Sequence, residues 1–555
     1  MHEDLGVCGW YPFGIFVVSH ILGITKSFMF LGNAMMWYTP KFRCRDGLSN
    51  ETLEDTAKLF AENVSTHADT CASNCSSWVY SVPRTHTFVA EWDIVCDRAP
   101  LKYLTEAFFF MGSIAACTFM GYLSDRFGRR IVMLGASIFA GIVGCQAIWV
   151  PNLYAYLAVR FFLGMANVGT FTDVYKSEIF SAKWRFMALN LDLSFIYGSM
   201  LTPLISYLIP NWRHFCVAVS SVNFLAALLI LLMPESPLWL IRMKRFQEAY
   251  AILKRAAERR GQELDFDRFM EIAADAEDDD DDENGNVEKK QALLGASKTE
   301  EEKERSSEES GKSASSASLE DSESFREALR SNIYVLVLVA SAATWAYNES
   351  VYVGITLSYG TLSGDRLINF FLNQFVSLPS TLVGIALSQL QTRRAVLIPW
   401  YGVQGLLFLV VLVSRAFYDD VDAEIPLLRR VVNIAVLFAV WVSWASTLCF
   451  LQEVFPTLLR SRSNLIACFC ARVVSGTASF FPHLQENYPV MLETVFGVSG
   501  VALGVFLFFI PETFKKPLPQ TIAELEAMSQ GRLCGGTKDA KEEPEEEDKA
   551  ETKAV

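Results

Sequence analysis

The chain has 555 residues, of which 51% are hydrophobic and 41 are Phe, yet its formal net charge is −14. Apolar and charged residues must therefore be segregated along it, which excludes an evenly mixed soluble globular chain and leaves a polytopic membrane protein.

In chain order, the first apolar run covers 11–38. It is long and has no small-residue cleavage site after it, so it is expected to act as its own insertion signal rather than as a cleaved leader. The segment Thr39 to Pro100 follows, with Cys44, Cys71, Cys75 and Cys96 and N-x-S/T sequons at Asn50, Asn63 and Asn74. An oxidising, glycosylated outer face accounts for both features. Four cysteines allow three pairings, and the sequence does not choose among them. Runs of about 20 apolar residues then fall near 101–123, 131–150, 153–173, 187–209 and 213–233.

A linker from 242 to 330 separates these from six more runs, near 331–355, 366–388, 395–414, 428–451, 463–483 and 489–510. The linker opens with RMKRFQEAYAILKRAAERR, an amphipathic, basic stretch that predicts a helix along the membrane surface or against the cytoplasmic ends of the bundle. From about 275 the linker is acidic, rich in Ser and almost free of large apolar residues, so a solvated, disordered spacer is expected, or a contact surface for cytoplasmic partners. The tail 515–555 ends in a similar acidic run. Asn348 is also a formal sequon, but it lies inside a span and is read as unmodified.

If twelve spans alternate, Arg126, Arg129, Arg130, Lys183, Arg185, Arg242, Lys244, Arg393, Arg394, Arg460, Arg462, Lys515 and Lys516 all fall on one side. That side is the cytoplasm, both termini lie there, and the plasma membrane is the expected location. The expected fold is all-α, with twelve transmembrane helices in two pseudo-symmetric six-helix bundles, 1–241 and 331–514. Duplication shows in the text itself. EIFSAKWR at 178–185 and EVFPTLLR at 453–460 share one grammar, and PES at 234–236 and PET at 511–513 each close an apolar run.

GYLSDRFGRR at 121–130 follows the second span. There Gly permits close helix approach, Asp125 pairs with a basic residue or a helix N-terminus, and the arginines grip lipid phosphate or carboxylates. This loop resembles the signature G-x-x-x-D-R-x-G-R-R of the major facilitator superfamily, and RFFLG at 160–164 resembles its second motif. The stretch TFVAEWDIVCDRAPLKYLTEAFFFMGSIAACTFMGYLSDRFGRR, the cysteine-bearing first loop, MPESPLWL and FIPETFKKPLPQTIAELE look like the organic cation/anion/zwitterion transporter family. That resemblance implies a carrier of small organic ions whose halves rock around a central site, with the lipid bilayer as its other partner. It also implies a gating set: Gly121, Asp125, Arg126, Gly128, Arg129, Arg130, Arg160, Glu178, Arg185, Glu453 and Arg460. The competing reading for each is simple loop capping and lipid contact.

Charges within spans are functional candidates by default; four stand out, Lys26, Asp192, Glu349 and Arg472. In the resembled family, the position twelve residues after the loop arginine tends to be Asp in cation carriers and Arg in anion or zwitterion carriers. Arg472 stands twelve after Arg460. A guanidinium facing a low-dielectric cavity attracts carboxylate or sulfonate and repels cations, unless it pairs permanently with an acidic neighbour. Lys26 would add a second cation, and Glu349, beside Asn348 and Tyr352, an anion, which suits a zwitterion; a self-neutralising Lys26–Glu349 pair is the alternative. His20 is read as a hydrogen-bonded packing residue. Tyr352, Phe371, Phe375, Trp441 and Trp444 are the expected aromatic walls.

Three departures from the family pattern are evident. QLQTRR at 389–394 lacks Asp and Gly, so the second gate is weakened or rebuilt; Ser377 replaces an acid; Pro482 falls late. Two classes of function remain: a carrier of organic anions or zwitterions, with organic cations as the variant, and a carrier-fold receptor or scaffold that no longer transports. An enzyme is not expected, since no nucleophile–base pair, phosphate loop or metal constellation appears. No cofactor is implied, nucleic acid is not an expected partner, and the eight remaining cysteines are read as packing residues.

Overall fold

The computed structural model describes residues 10–45, 71, 75, 77–170, 172–179, 193–258, 266, 269–270, 325–326, 328–358, 365–415, 417, 426–456, 459–488, 490–514, 516, 519 and 521–530. Asn50, Asn63, Asn74, Arg185, Asp192 and the acidic part of the linker lie outside them.

The spans form α1 (Trp10–Met36), α2 (Leu101–Phe127), α3 (Arg129–Cys145), α4 (Leu153–Gly169), α5 (Ser194–Leu208) and α6 (Trp212–Leu232) in the first half. The second half holds α7 (Asn332–Leu357), α8 (Arg366–Leu390), α9 (Arg393–Ser414), α10 (Pro426–Val454), α11 (Arg460–Ala478) and α12 (Met491–Phe506). Among the described residues, nine helices are long and apolar enough to cross a membrane. The two short helices α4 and α5, together with α7, complete the twelve; α7 carries Asn348, Glu349 and three tyrosines, which dilute its apolar character.

Side chains start many of these helices. Asn152, Asn211, Ser331, Asp365 and Thr392 each accept a hydrogen bond from a backbone N–H in the first turn of the helix they precede, satisfying donors that have no partner within the helix. Pro482 opens a separate short helix, Phe481–Asn487, where its missing N–H costs nothing. Its late position therefore marks the break after α11 rather than a kink within it.

The duplication is physical as well as textual. In each half the first helix packs on the fifth, the second on the fourth and the third on the sixth: α1 on α5, α2 on α4, α3 on α6, and likewise α7 on α11, α8 on α10, α9 on α12. The halves meet along α2–α11 and α5–α8. Close approach of α2 and α4 depends on Gly112 and Gly164, since a Cβ on either would strike a carbonyl of the facing helix.

Outside the bundle, β1 (Phe42–Cys44) pairs antiparallel with β2 (Trp78–Tyr80). Two disulfides, Cys44–Cys75 and Cys71–Cys96, close the loop and select one of the three pairings. Glu91 anchors it to the bundle through Arg213 at 2.7 Å and the Trp212 indole at 2.6 Å. At the other end the basic stretch of the linker forms Phe246–Glu258. Its Ala249, Leu253 and Ala257 pack on Trp239, Leu240 and Ile241, while Trp239 Nε1 donates to the Asp125 carbonyl at 2.7 Å. The helix thus docks against the end of the bundle that carries the 121–130 loop. A last helix, Ile522–Gln530, buries Leu525 and accepts a hydrogen bond at Glu526 from Ser331, at 2.6 Å.

Candidate substrate site and gates

An ion pair within the second half joins α7 to α11, the helix that meets the first half along α2. Glu349 on α7 accepts a hydrogen bond at Oε1 from Nη1 of Arg472 on α11. The Glu349 side chain is 6% exposed and that of Arg472 is 23% exposed. Each keeps one polar atom without a protein partner, Glu349 Oε2 and Arg472 Nε. The pair therefore neutralises itself yet retains unused valence of both signs. Lys26 stands half-buried on α1, but the described ion-pair partner of Glu349 is Arg472.

Aromatic rings from both halves meet beside it. Tyr352 lies 5.6 Å from Trp441 and Trp441 lies 6.1 Å from Trp444. From the first half, Phe30 stacks on Tyr352 at 6.4 Å and Phe195 approaches Trp441 at 6.5 Å. The Tyr352 hydroxyl donates to Gln374 Oε1 at 3.0 Å. Gln374 Nε2, Asn373 Nδ2 and Trp441 Nε1 are buried donors without a protein acceptor.

Phe30, Phe195, Asn373 and Gln374 were missed by sequence reasoning. Two are ordinary phenylalanines among 41, and two are uncharged amides. The one available signal was the polar face Asn369, Asn373, Gln374, Ser377, Ser380, Thr381 and Ser388, which recurs at helical spacing along α8 and is buried throughout.

Four expected site residues prove to be placed elsewhere. Asn348 is locked inside the second half, donating to Tyr401 Oη at 2.8 Å and accepting from Ser443 Oγ at 3.0 Å. Phe371 and Phe375 stack on each other on an exposed apolar stripe of α8 shared with Ile368, Leu372 and Leu382, opposite the buried polar face and apart from Tyr352. Arg160 is not in a gate loop. It is buried among α1, α2 and α4, where it pairs with Glu106 at 2.7 Å, donates to the Met29 carbonyl at 2.8 Å and lies over the Phe109 ring. Fully satisfied charges of this kind hold helices together. His20 bonds to the Phe16 carbonyl at 2.8 Å, as expected of a packing residue.

The loops at the 121–130 end of the two halves repeat one design. In the first half Arg129 pairs with Asp125 and with Glu178 at 3.0 Å, and Glu235 accepts from the Arg130 backbone at 3.1 Å. In the second half Arg393 pairs with Glu453 at 2.6 Å, and Glu512 accepts from the backbone of Arg393 at 2.9 Å and of Arg394 at 3.1 Å. The second-half loop thus makes equivalent contacts without the Asp and Gly of the first. Glu235 and Glu512 are the acids of PES and PET, which the sequence offered only as repeat markers.

Gly128 has φ of 99°, a left-handed conformation that suits glycine, and a Cβ there would meet Glu235 at 2.5 Å. Gly121 faces open space, so close helix approach is not its role. Arg126 is exposed and donates to Tyr122 Oη at 2.8 Å, and the Arg460 guanidinium donates to the Phe455 carbonyl at 3.3 Å. The ion pairs described for these loops lie within each half rather than between halves.

At the outer end the halves do touch. Arg366 at the start of α8 lies 3.5 Å from the centroid of the Tyr38 ring and donates to the Met35 carbonyl at 2.9 Å, while Tyr103 of α2 meets Phe480 and His483 beyond α11.

Two six-helix halves, a neutralised charge pair and an aromatic cluster at their interface, and mirrored loop clasps define a major facilitator carrier. Solved structures share the fold. The proton:xylose symporter XylE bound to 6-bromo-6-deoxy-D-glucose aligns with TM-score 0.59 at 18% identity, covering 94% of this chain and 99% of that one. Its inward-open form from E. coli gives 0.56 at 17% identity, covering 94% and 100%.

The chain belongs to the sugar (and other) transporter family, which it matches over residues 47–524. It is 27% identical over 477 residues to mouse solute carrier family 22 member 3, covering 84% of this chain and 77% of that one. It is 25% identical to human organic cation/carnitine transporter 2, covering 79% and 72%. To mouse organic anion transporter 3 it is also 25% identical, covering 86% and 80%. The protein is a multi-pass membrane transporter.

Proposed function

We propose that this carrier moves small organic anions or zwitterions across the plasma membrane by alternating access about the Arg472–Glu349 pair. The observation that carries the reading is the pair itself, with Glu349 Oε2 and Arg472 Nε both lacking a protein partner beside an aromatic cluster drawn from both halves. A substrate carboxylate takes the Arg472 fork bidentately, and a substrate cation takes the released Glu349 carboxylate. Tyr352 and Trp441 supply flat faces that accept varied organic bodies, and the unpaired donors of Gln374 and Asn373 orient polar substituents. Relatives named for organic cations and carnitine and for organic anions fit a site holding both signs.

The receptor or scaffold reading rested on an eroded second gate, and the Arg393–Glu453 and Glu512 contacts remove that ground. In this reading Lys26 adds a further positive charge. The acidic linker, in this reading, is a spacer between two moving halves or a contact for cytoplasmic partners, and the three sequons carry glycans on the outer face. Uptake of labelled organic anions, cations and zwitterions into cells expressing the chain tests the proposal. Selective anion or zwitterion accumulation supports it, and accumulation of cations alone contradicts it.

A further inference from the structure

We propose that Gln374 and Trp441 form a second recognition subsite, which takes a ketone or sulfonyl oxygen carried on the body of the substrate and so selects organic acids that bear one. The inference rests on the transport reading and names its substrate class. α7 packs on α10 and α11, and α8 packs on α10 and α5. Between them the Tyr352 hydroxyl reaches from α7 to α8 and donates to Gln374 Oε1 at 3.0 Å. That bond uses the accepting end of the Gln374 amide and leaves the donating end unspent. Gln374 is fully buried, and its Nε2 has no acceptor among the described residues. The Trp441 indole meets the Tyr352 ring edge to face at 5.6 Å. Its Nε1, a group that can only donate, is buried and also lacks an acceptor among those residues. Leaving a buried donor unpaired costs more than an ordinary hydrogen bond contributes, and here two such donors adjoin one tyrosine.

The unspent hydrogens decide the chemistry. A group with lone pairs satisfies them, whereas an alkyl or ammonium group leaves them unpaired. The neighbours decide where that group lies. Consecutive spans run in opposite directions, so from the Tyr352–Gln374 contact one turn back along α7 stands Glu349 and one turn on along α8 stands Ser377. Ser377 is buried, and its Oγ likewise has no partner among the described residues. The acceptor subsite therefore lies about one helical turn, on the order of 5 Å, from the level of the Glu349–Arg472 pair. Phe30, Phe195 and Trp441 are only half-buried although rings of the two halves face one another. The surface they keep suits the flat body of an acid that spans both subsites.

The test uses the full chain purified in detergent and two acids of the same shape, meta-acetylbenzoate and meta-isopropylbenzoate, with the para pair run alongside. Each pair differs by a ketone oxygen against a methyl group. Binding is read as the rise in melting temperature with ligand concentration, which needs no transport. The native carrier should bind at least one acetyl acid roughly tenfold or more tighter than its isopropyl partner, because the apolar analogue leaves the donors unpaired. Trp441→Phe keeps a ring and removes the N–H, and Gln374→Met keeps the length and removes the amide. Each should reduce the ratio to about threefold or less. A merely structural role would weaken both acids together and leave the ratio unchanged. Because a variant can fail to fold, the native ratio is the primary reading. Equal affinity of the native chain for both members of each pair overturns the subsite, as does binding of none of the four acids or an unchanged ratio in both variants. The same acids are then tried in cellular uptake. An acetyl preference in binding without uptake supports the subsite and counts against the transport reading alone; uptake without that preference counts against the subsite alone.

Discussion

A buried arginine is costly unless it is paired, and three arginines in this chain meet that cost differently. Arg160 has Glu106 and two backbone carbonyls. Arg393 has Glu453, and Arg472 has Glu349 with an Nε left over. Glu106→Gln should strand a buried cation at a cost of about 3–5 kcal/mol; surface biotinylation should show little mature protein, and normal surface levels would contradict the structural role. Glu349→Gln differs, because it frees Arg472 about one turn from Tyr352 of the aromatic cluster, on the helix pair that carries both. The variant should reach the surface, lose roughly tenfold in zwitterion uptake, equivalent to about 1.4 kcal/mol, and retain anion uptake. Arg472 was legible in the sequence because a cation inside a span has few structural excuses. Asn348 was misread because an amide in a span looks the same whether it faces a cavity or, as here, Tyr401 and Ser443. Gln374 and Asn373 escaped for the converse reason, being neutral residues whose burial only packing reveals.

Between elements, the loops and latches decide which motions are open. Gly128 permits the turn from α2 to α3 that brings Glu235 onto the Arg130 backbone. Gly128→Ala combines a left-handed backbone, worth about 1–2 kcal/mol for a residue with a Cβ, with a collision against Glu235. Its detergent-solubilised melting temperature should drop by several degrees. In the second half Thr392 occupies the equivalent place with φ of −65° and caps α9. Thr392→Gly should therefore cost no more than a lost cap, a few tenths of a kcal/mol. Equal effects of the two substitutions would contradict this account. QLQTRR looked like an eroded gate because motif matching reads spacing within one loop, whereas Arg393 finds its acids on α10 and beyond α12. At the outer end, Arg366→Ala should release the contact with Tyr38 and Met35 and raise labelling of a cysteine introduced at Phe30 by an impermeant thiol reagent applied outside. Unchanged labelling would show that Arg366 does not hold the outer end shut.

For the whole molecule, the two-half plan was readable from the repeated loops and the count of apolar runs, since periodicity and span length are local properties. Which halves' rings meet was not, because Phe30 and Phe195 lie more than 150 residues from Tyr352 and nothing local marks them. The disulfide pairing likewise required the strand register. Deleting 275–325 should leave uptake within about twofold of the full chain, as expected of a solvated spacer; complete loss with normal surface expression would show that the segment has a role of its own. The central claim is that Arg472 receives the acidic group of the substrate. The most direct measurement is uptake of matched organic anions, zwitterions and cations by the native carrier and by Arg472→Ala, with surface protein quantified in parallel. The account predicts selective anion or zwitterion uptake by the native chain and at least a tenfold loss in the variant at equal surface level. Undiminished uptake by Arg472→Ala would contradict it.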